Sequence, residues 1–154
     1  MTESPIYIEL TERPLVSERL VAAVGRATSG AVVLFHGVVR NHNEGRDVLY
    51  LEYDCYPELA VRELRAVAES VLRDFAVEAI AVAHRTGRLE IGETSLLVAV
   101  ASAHRGDAFD ACHAAVDRIK QTVPIWKKEF WAGGGVWLDG HPVPSAEPLQ
   151  EPAS

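Results

Sequence analysis

The segment TSLLVAVASAHRGDAFDACHAAVDRIKQTVPIWKKEFW, residues 94–131, changes its apolar spacing twice. Its first ten residues are nearly continuous in Leu, Val and Ala, the pattern of a strand buried on both faces. Beyond them, Phe109, Cys112, Val116, Ile119 and Val123 recur three or four residues apart, which predicts the core-facing stripe of a helix begun near Asp107. Pro124 stops that helix because it lacks an N–H and its ring clashes with the preceding turn. IWKKEFW, the turn AGGG and VWLDG then read as a closing hairpin. A buried strand, a helix and a hairpin in succession, without regular βαβ alternation, predict an α+β fold with a largely antiparallel sheet.

Upstream, VEAIAVAHRTG reads as a second buried strand, joined to TSLLVAVASA through RLEIGE and its turn glycine. PELAVRELRAVAESVLRDF is a one-sided helix opened by Pro57, with Ala60, Leu64, Val67, Ala68, Val71, Leu72 and Phe75 on its apolar side. AVVLFHGVVR (31–40) and VLYLEYDCY (48–56) flank the polar loop NHNEGRD, so they read as two strands of one antiparallel hairpin. PIYIEL is a short strand, and VSERLVAAVGRA a first helix with Ser17 as its N-cap. From His141 the chain HPVPSAEPLQEPAS has four prolines in fourteen residues and little to bury. Residues 1–140 are therefore read as a single domain and 141–154 as a flexible tail.

Composition sets the outer bounds. With 154 residues, 48% hydrophobic and 24% charged, the chain can bury a core. A formal charge of −7 argues against nucleic acid or an acidic membrane as a partner, because those need a broad basic face. No apolar run reaches the ~18 residues of a membrane span, and the N-terminal stretch lacks the features of a signal peptide, so a cytoplasmic protein is expected. Cys55 and Cys112 have no CxxC or zinc-ligand spacing and read as reduced thiols.

Lysine is confined to Lys120, Lys127 and Lys128, against 12 arginines spread along the chain. An ammonium can lose its proton in a suitable site, whereas a guanidinium effectively cannot. Lys120 near a helix C-terminus is also ordinary dipole placement. Lys127 and Lys128 are adjacent in a strand and point to opposite faces, so only one can share a pocket with Lys120. His104 and Arg105 fall where a buried strand gives way to a helix N-terminus, which suits an anion, or equally a polar loop capped by Asp107. Arg40 ends a strand three residues after Gly37, where a ligand or backbone can approach closely. His36, His42, His84 and His113 have no metal-ligand spacing and read as ordinary histidines.

Taken together, GAVVLFHGVVRNHN, LEYDCYPELA, AHRTGRLEIGE, VAVASAHRGDAFDACHAAVDRIKQTVPIWKKEF and the final VW resemble the large, catalytic subunit of molybdopterin synthase, from about residue 30 to 138. The resemblance implies an α/β hammerhead fold with an additional antiparallel β-subdomain. It also implies a homodimer that binds a small ubiquitin-like sulfur-carrier subunit at each end, giving a heterotetramer. The carrier's C-terminal Gly-Gly ends in a thiocarboxylate and delivers sulfur to cyclic pyranopterin monophosphate, forming the dithiolene of molybdopterin. No metal and no permanently bound cofactor is implied. Residue by residue, the resemblance puts the essential lysines at Lys120 and Lys127. It puts Val38, Val39, Arg40, His104, Arg105, Lys128 and Glu129 in substrate binding, with the His-Arg pair reaching the pocket from the other protomer.

A thiocarboxylate tail and a cyclic phosphate are both anions, so a compact cationic pocket in an acidic protein fits this reading. Two positions depart from the family. No lysine or arginine follows the final VW, so either His141 substitutes for a basic residue often found there or that contact is missing, and Val38 stands where relatives often carry lysine. The alternative is a noncatalytic α+β module that captures a partner's extended tail by β-augmentation. Deleting residues 142–154 is expected to leave the melting temperature nearly unchanged, checked by thermal denaturation, since the segment has few large apolar groups to bury.

Overall fold

The computed structural model describes residues 4–138, and the proline-rich stretch 141–154, with His141, lies outside them. In chain order the elements are β1 (Ile6–Thr11), α1 (Ser17–Val24), β2 (Ala31–Val38), β3 (His42–Asn43), β4 (Arg46–Cys55), α2 (Pro57–Asp74), β5 (Ala79–Arg85), β6 (Gly87–Glu90), β7 (Thr94–Ser102), α3 (Arg105–Thr122), β8 (Ile125–Trp131) and β9 (Gly134–Leu138). Among the described residues, no helix is long and apolar enough to cross a membrane.

Side-chain size alternates along β5 and β7, and this sets the layering. The first sheet has the order β1-β5-β7-β2, with β1 parallel to β5 and the other pairs antiparallel. Ile80, Val82, Val98 and Val100 point to one face, where they pack against the inner sides of α2 and α3. Ala79, Ala81, Ala83, Ala99 and Ala101 point to the other, where Leu20 and Val24 of α1 pack on them. The small residues let a helix of only two turns sit close to the sheet. Both faces are dry, as the continuous apolar runs required.

The second sheet has the order β3-β4-β8-β9, with β6 also paired to β4, and is antiparallel throughout. Val39, Val48, Leu51 and Leu89 form its own small core, with Tyr53 packed against it. The fold is α+β with a second antiparallel sheet, as expected from the sequence.

Several local expectations change. The strands at 31–38 and 46–55 do not form a hairpin with each other. β2 instead pairs along β7 until the register shifts at Gly37/Val38, and β4 belongs to the second sheet. The tight hairpin is β3–β4, turning through Glu44 and Gly45, both with positive φ (50° and 80°), as two-residue hairpin turns demand. RLEIGE contributes β6 rather than a bare connection. Ser17 is the first helical residue, its hydroxyl donating to Glu18 Oε1 at 2.9 Å, and Val16 takes the cap position. Asp107 lies within the first turn of α3, which His104 precedes as cap.

Phe109 is 61% exposed. The buried side of α3 is Ala108, Ala111, Cys112, Ala115, Val116 and Ile119. Alanine carries little weight in a stripe read from large residues, yet here it makes the close contact and turns Phe109 outward.

A Cβ on Gly30 would collide with the carbonyl oxygen of Ala103, and the Gly30 N–H donates to Ser102 O at 2.9 Å. Gly30→Ala is expected to destabilise the protein by about 1–3 kcal/mol, the range for overpacking against an immobile neighbour, measured by urea denaturation.

Candidate active site

Two cavities of about 200 Å³ each open side by side where the two sheets meet, and Gly37, Tyr53, Ser95, Lys120 and Lys127 line both. Lys120 comes from the last turn of α3 and Lys127 from β8, on either side of the break at Val123–Pro124. Lys127 stands opposite Tyr53 in the β4–β8 ladder. Burial pushes its ammonium below the ordinary lysine range, the Glu129 carboxylate pulls it back up, and the positive charges of Lys120 and Arg40 push it further down.

Glu129 is 3% exposed and lines the second cavity. Asn43 Nδ2 donates to its Oε2 at 2.7 Å, and Arg46 Nη2 lies 3.6 Å from its Oε1. The Arg46 guanidinium also lies over the Trp131 ring, 4.3 Å from the centroid. Glu129 Oε1 and Arg46 Nε are buried without a hydrogen-bond partner, and Oε1 keeps only its ion pair with Arg46. Val38, Val39 and Arg40 line the same cavity just beyond the irregularity in β2. Val39 is held there by two backbone bonds, its N–H to Glu93 O at 3.0 Å and Gly92 N–H to its carbonyl at 2.9 Å.

The remaining candidates sit elsewhere. Lys128 faces the other side of the second sheet, with Nζ 4.8 Å from the Phe130 ring centroid. Phe130 in turn stacks on Tyr50, which Arg88 covers from beyond. His104 and Arg105 are exposed at the start of α3. Fifteen residues of helix separate Arg105 from Lys120, roughly 22 Å at 1.5 Å per residue.

His84 and Tyr53 line the cavity without having been singled out in the sequence. His84 is 6% exposed, its Nδ1 lies 2.8 Å from Arg85 O, and Tyr53 meets its ring edge-on at 5.1 Å. Burial pushes the imidazole down from 6.5 to about 4, the bond to Arg85 O opposes this, and Lys120 adds to it. Tyr53 is raised above the ordinary phenol value by burial, a trend that Ser95 opposes through a hydrogen bond. A signal for His84 existed: it continues the inward face of Ile80 and Val82, a position where a polar side chain must have a partner.

The sequence profile described as MoaE protein matches residues 10–122. A molybdopterin synthase catalytic subunit 1 of Mycobacterium tuberculosis is 40% identical over 136 residues, covering 88% of this chain and 92% of that protein. A molybdopterin synthase catalytic subunit of Bacillus subtilis is 36% identical, covering 94% and 92%. The chain belongs to the MoaE protein family. The crystal structure of molybdopterin synthase from Staphylococcus aureus superposes with a TM-score of 0.79 at 36% identity, covering 90% of this chain and 98% of that one.

In this MoaE-family chain, the lysine pair, Arg40 and the backbone of β2 make a cavity suited to an anion. A buried carboxylate at one wall tempers the positive charge. The neutral His84 gives the fold a pH signature. Unfolded, the ring takes a proton below 6.5; folded, it resists until about 4, so stability is full above this window and is lost as pH falls through it. The expected loss is about 2 kcal/mol between pH 6.5 and 5, read from urea midpoints, and His84→Gln should flatten that slope.

Proposed function

We propose that this chain is the catalytic half of a molybdopterin synthase, transferring sulfur from a carrier subunit to the pterin. A small ubiquitin-like carrier subunit inserts its C-terminal Gly-Gly thiocarboxylate into the twin cavity. Cyclic pyranopterin monophosphate sits beside it, and sulfur passes to the pterin side chain to build the dithiolene. The observation that carries this reading is the convergence of Lys120 and Lys127, from different elements, on one cavity, with burial holding the Lys127 ammonium below its ordinary range.

Such a pair suits the chemistry. A lysine held below its ordinary range can take or give the protons of sulfur addition, cyclic-phosphate opening and release of the spent carboxylate more readily than arginine, while Lys120 and Arg40 hold the anions. Val38 and Val39 shape the wall through which the pterin enters, and Glu129, on the same cavity, tempers the positive charge that holds it. Lys128 serves from the opposite face of β8. No permanently bound cofactor takes part, since the carrier brings the sulfur.

The distance along α3 supports a second copy in the active assembly. His104 and Arg105 cannot reach the cavity of their own chain, but as exposed side chains at a helix start they can serve a partner's cavity, binding the substrate phosphate there. The edge strand β2, with Val32 at 41% and Val38 at 50% exposure, leaves apolar surface for such a dimer. The working form is then a heterotetramer in the cytoplasm, each chain contributing residues 1–140 as one unit and 141–154 as a tail.

Replacing lysine by arginine separates proton transfer from charge. Lys120→Arg and Lys127→Arg are each expected to lower single-turnover conversion of the cyclic pterin by about 10²-fold or more, the lower end for a positioned acid-base group, while carrier affinity survives. Lys128→Arg is expected to be milder. Near-normal turnover in both of the first two would leave these lysines as anion holders only, and binding without any turnover in the wild type would make the chain a capture module.

A further inference from the structure

Lys127 and Glu129 stand two residues apart on β8, so strand alternation turns both side chains to one face, and both line the second cavity. The other ionisable groups at the twin cavity are Lys120 of α3, Arg40 after β2, His42 of β3, Tyr53 of β4 and His84 of β5. Among the described residues, Glu129 is the one carboxylate lining either cavity. At 3% exposure it has little solvent to rely on, and a buried carboxylate is costly unless a cation or donor pairs with it. The choice nearest along its own strand is the Lys127 ammonium. A full ion pair there would cancel charge that an incoming anion needs.

The two oxygens are engaged elsewhere. Asn43 Nδ2 donates to Oε2 at 2.7 Å, and Arg46 Nη2 lies 3.6 Å from Oε1. Asn43 and Arg46 are register partners across the β3–β4 turn, and partners in an antiparallel pair project to one side, so a single hairpin presents both to the carboxylate. The Arg46 guanidinium is itself placed by the Trp131 ring, 4.3 Å from its centroid. Among the described residues, Glu129 has an ion pair with Arg46 and none with Lys127. Burial is the main cause of the lowered Lys127, and Glu129 opposes it only as an unpaired charge on the same face.

We propose that Asn43 and Arg46 are positioning residues for the lysine site: by holding the two oxygens of Glu129 against the β3–β4 hairpin, they keep the carboxylate from closing an ion pair with Lys127. This rests on the reading of Lys127 as a working lysine. With no carboxylate at the cavity, Lys120, Lys127 and Arg40 would repel one another without relief. With one in direct contact, the Lys127 ammonium would be neutralised and slow to give up its proton. Restrained by the hairpin, Glu129 offsets the cluster and leaves Lys127 free for an anion or a proton transfer.

The restraint can be tested without turnover, because the full-length protein with 13C- and 15N-labelled lysine gives only Lys120, Lys127 and Lys128 to assign. Asn43→Ala removes a donor and no charge. It is expected to raise the titration midpoint of Lys127 by about one pH unit, the low end for a nearby opposite charge. In a Glu129→Gln background, which keeps an acceptor for Asn43 but no charge, the same substitution is expected to leave the midpoint where Glu129→Gln alone sets it. An unmoved midpoint in Asn43→Ala would overturn the proposal. So would an equal rise in both backgrounds, since a hairpin loosened to water raises Lys127 whatever stands at position 129. If Glu129→Gln fails to fold, amide exchange at Val48 takes its place: that N–H donates to Asn41 O at 2.9 Å and closes the base of the hairpin. A raised midpoint in Asn43→Ala with Val48 still protected supports the proposal, and one with protection lost overturns it. The catalytic consequence is read separately with thiocarboxylated carrier and cyclic pterin. Single-turnover transfer near pH 7 is expected to fall at least ~10-fold in Asn43→Ala and to recover as the pH is raised. Rate and pH profile both unaltered, against an active wild type, would overturn the positioning role. If the midpoint moves as expected but the wild type transfers no sulfur, the restraint on Glu129 stands and the sulfur-transfer reading fails.

Discussion

The short link at Val123 and Pro124 governs the rest of the site. It ends α3, which lies on the first sheet, and starts β8, which runs through the second. Val123 and Ile125 are both buried in the main core, and the Val123 N–H still donates to Ile119 O at 3.0 Å. The direction in which β8 leaves the helix is therefore held by packing on both sides of the proline. Because of that direction, Lys120 and Lys127 point into one cavity instead of lying along a single surface. A less rigid link would separate them, since a lysine side chain has ample freedom to find solvent.

Electrostatics then explains why the cavity tolerates so much charge. The chain as a whole is acidic, at −7, and the cationic groups at the cavity are gathered from three separate segments: Arg40 after β2, Lys120 on α3 and Lys127 on β8. Glu129, nearly fully buried, is their local counter-charge, and it also ties the β3–β4 hairpin to β8 through Asn43 and Arg46. A buried carboxylate is costly when unpaired, so this one group couples the shape of the hairpin to the charge balance at the lysines. His84 and Tyr53 form a neutral floor beneath, and neither adds net charge that would compete with an incoming anion.

Much of this was legible in the chain. The buried strands at 79–85 and 94–102, the helices after Pro57 and after His104, the closing hairpin and the restriction of lysine to one segment all follow from local spacing and composition. So does the assignment of Lys127 and Lys128 to opposite faces, because strand alternation is a property of the backbone. The motifs also carried the family, as the similarity to the Mycobacterium tuberculosis and Bacillus subtilis subunits bears out.

Tertiary structure decided what local pattern leaves degenerate. Two strands separated by a Gly-containing loop suggest a hairpin, yet β2 and β4 lie in different sheets, because β7 offers β2 a more continuously apolar partner and the shift at Gly37/Val38 releases the chain toward the second sheet. The inward side of α3 was misread at Phe109 because alanines, weak in any apolar count, make the close contacts. His84 looked ordinary for a related reason. A histidine has no spacing signature until the fold places it on the same cavity as a lysine 36 residues away in sequence. Sequence determines periodicity and residue chemistry, which are short-range; which faces meet, and hence which charges share a cavity, depends on the packing of elements far apart in the chain.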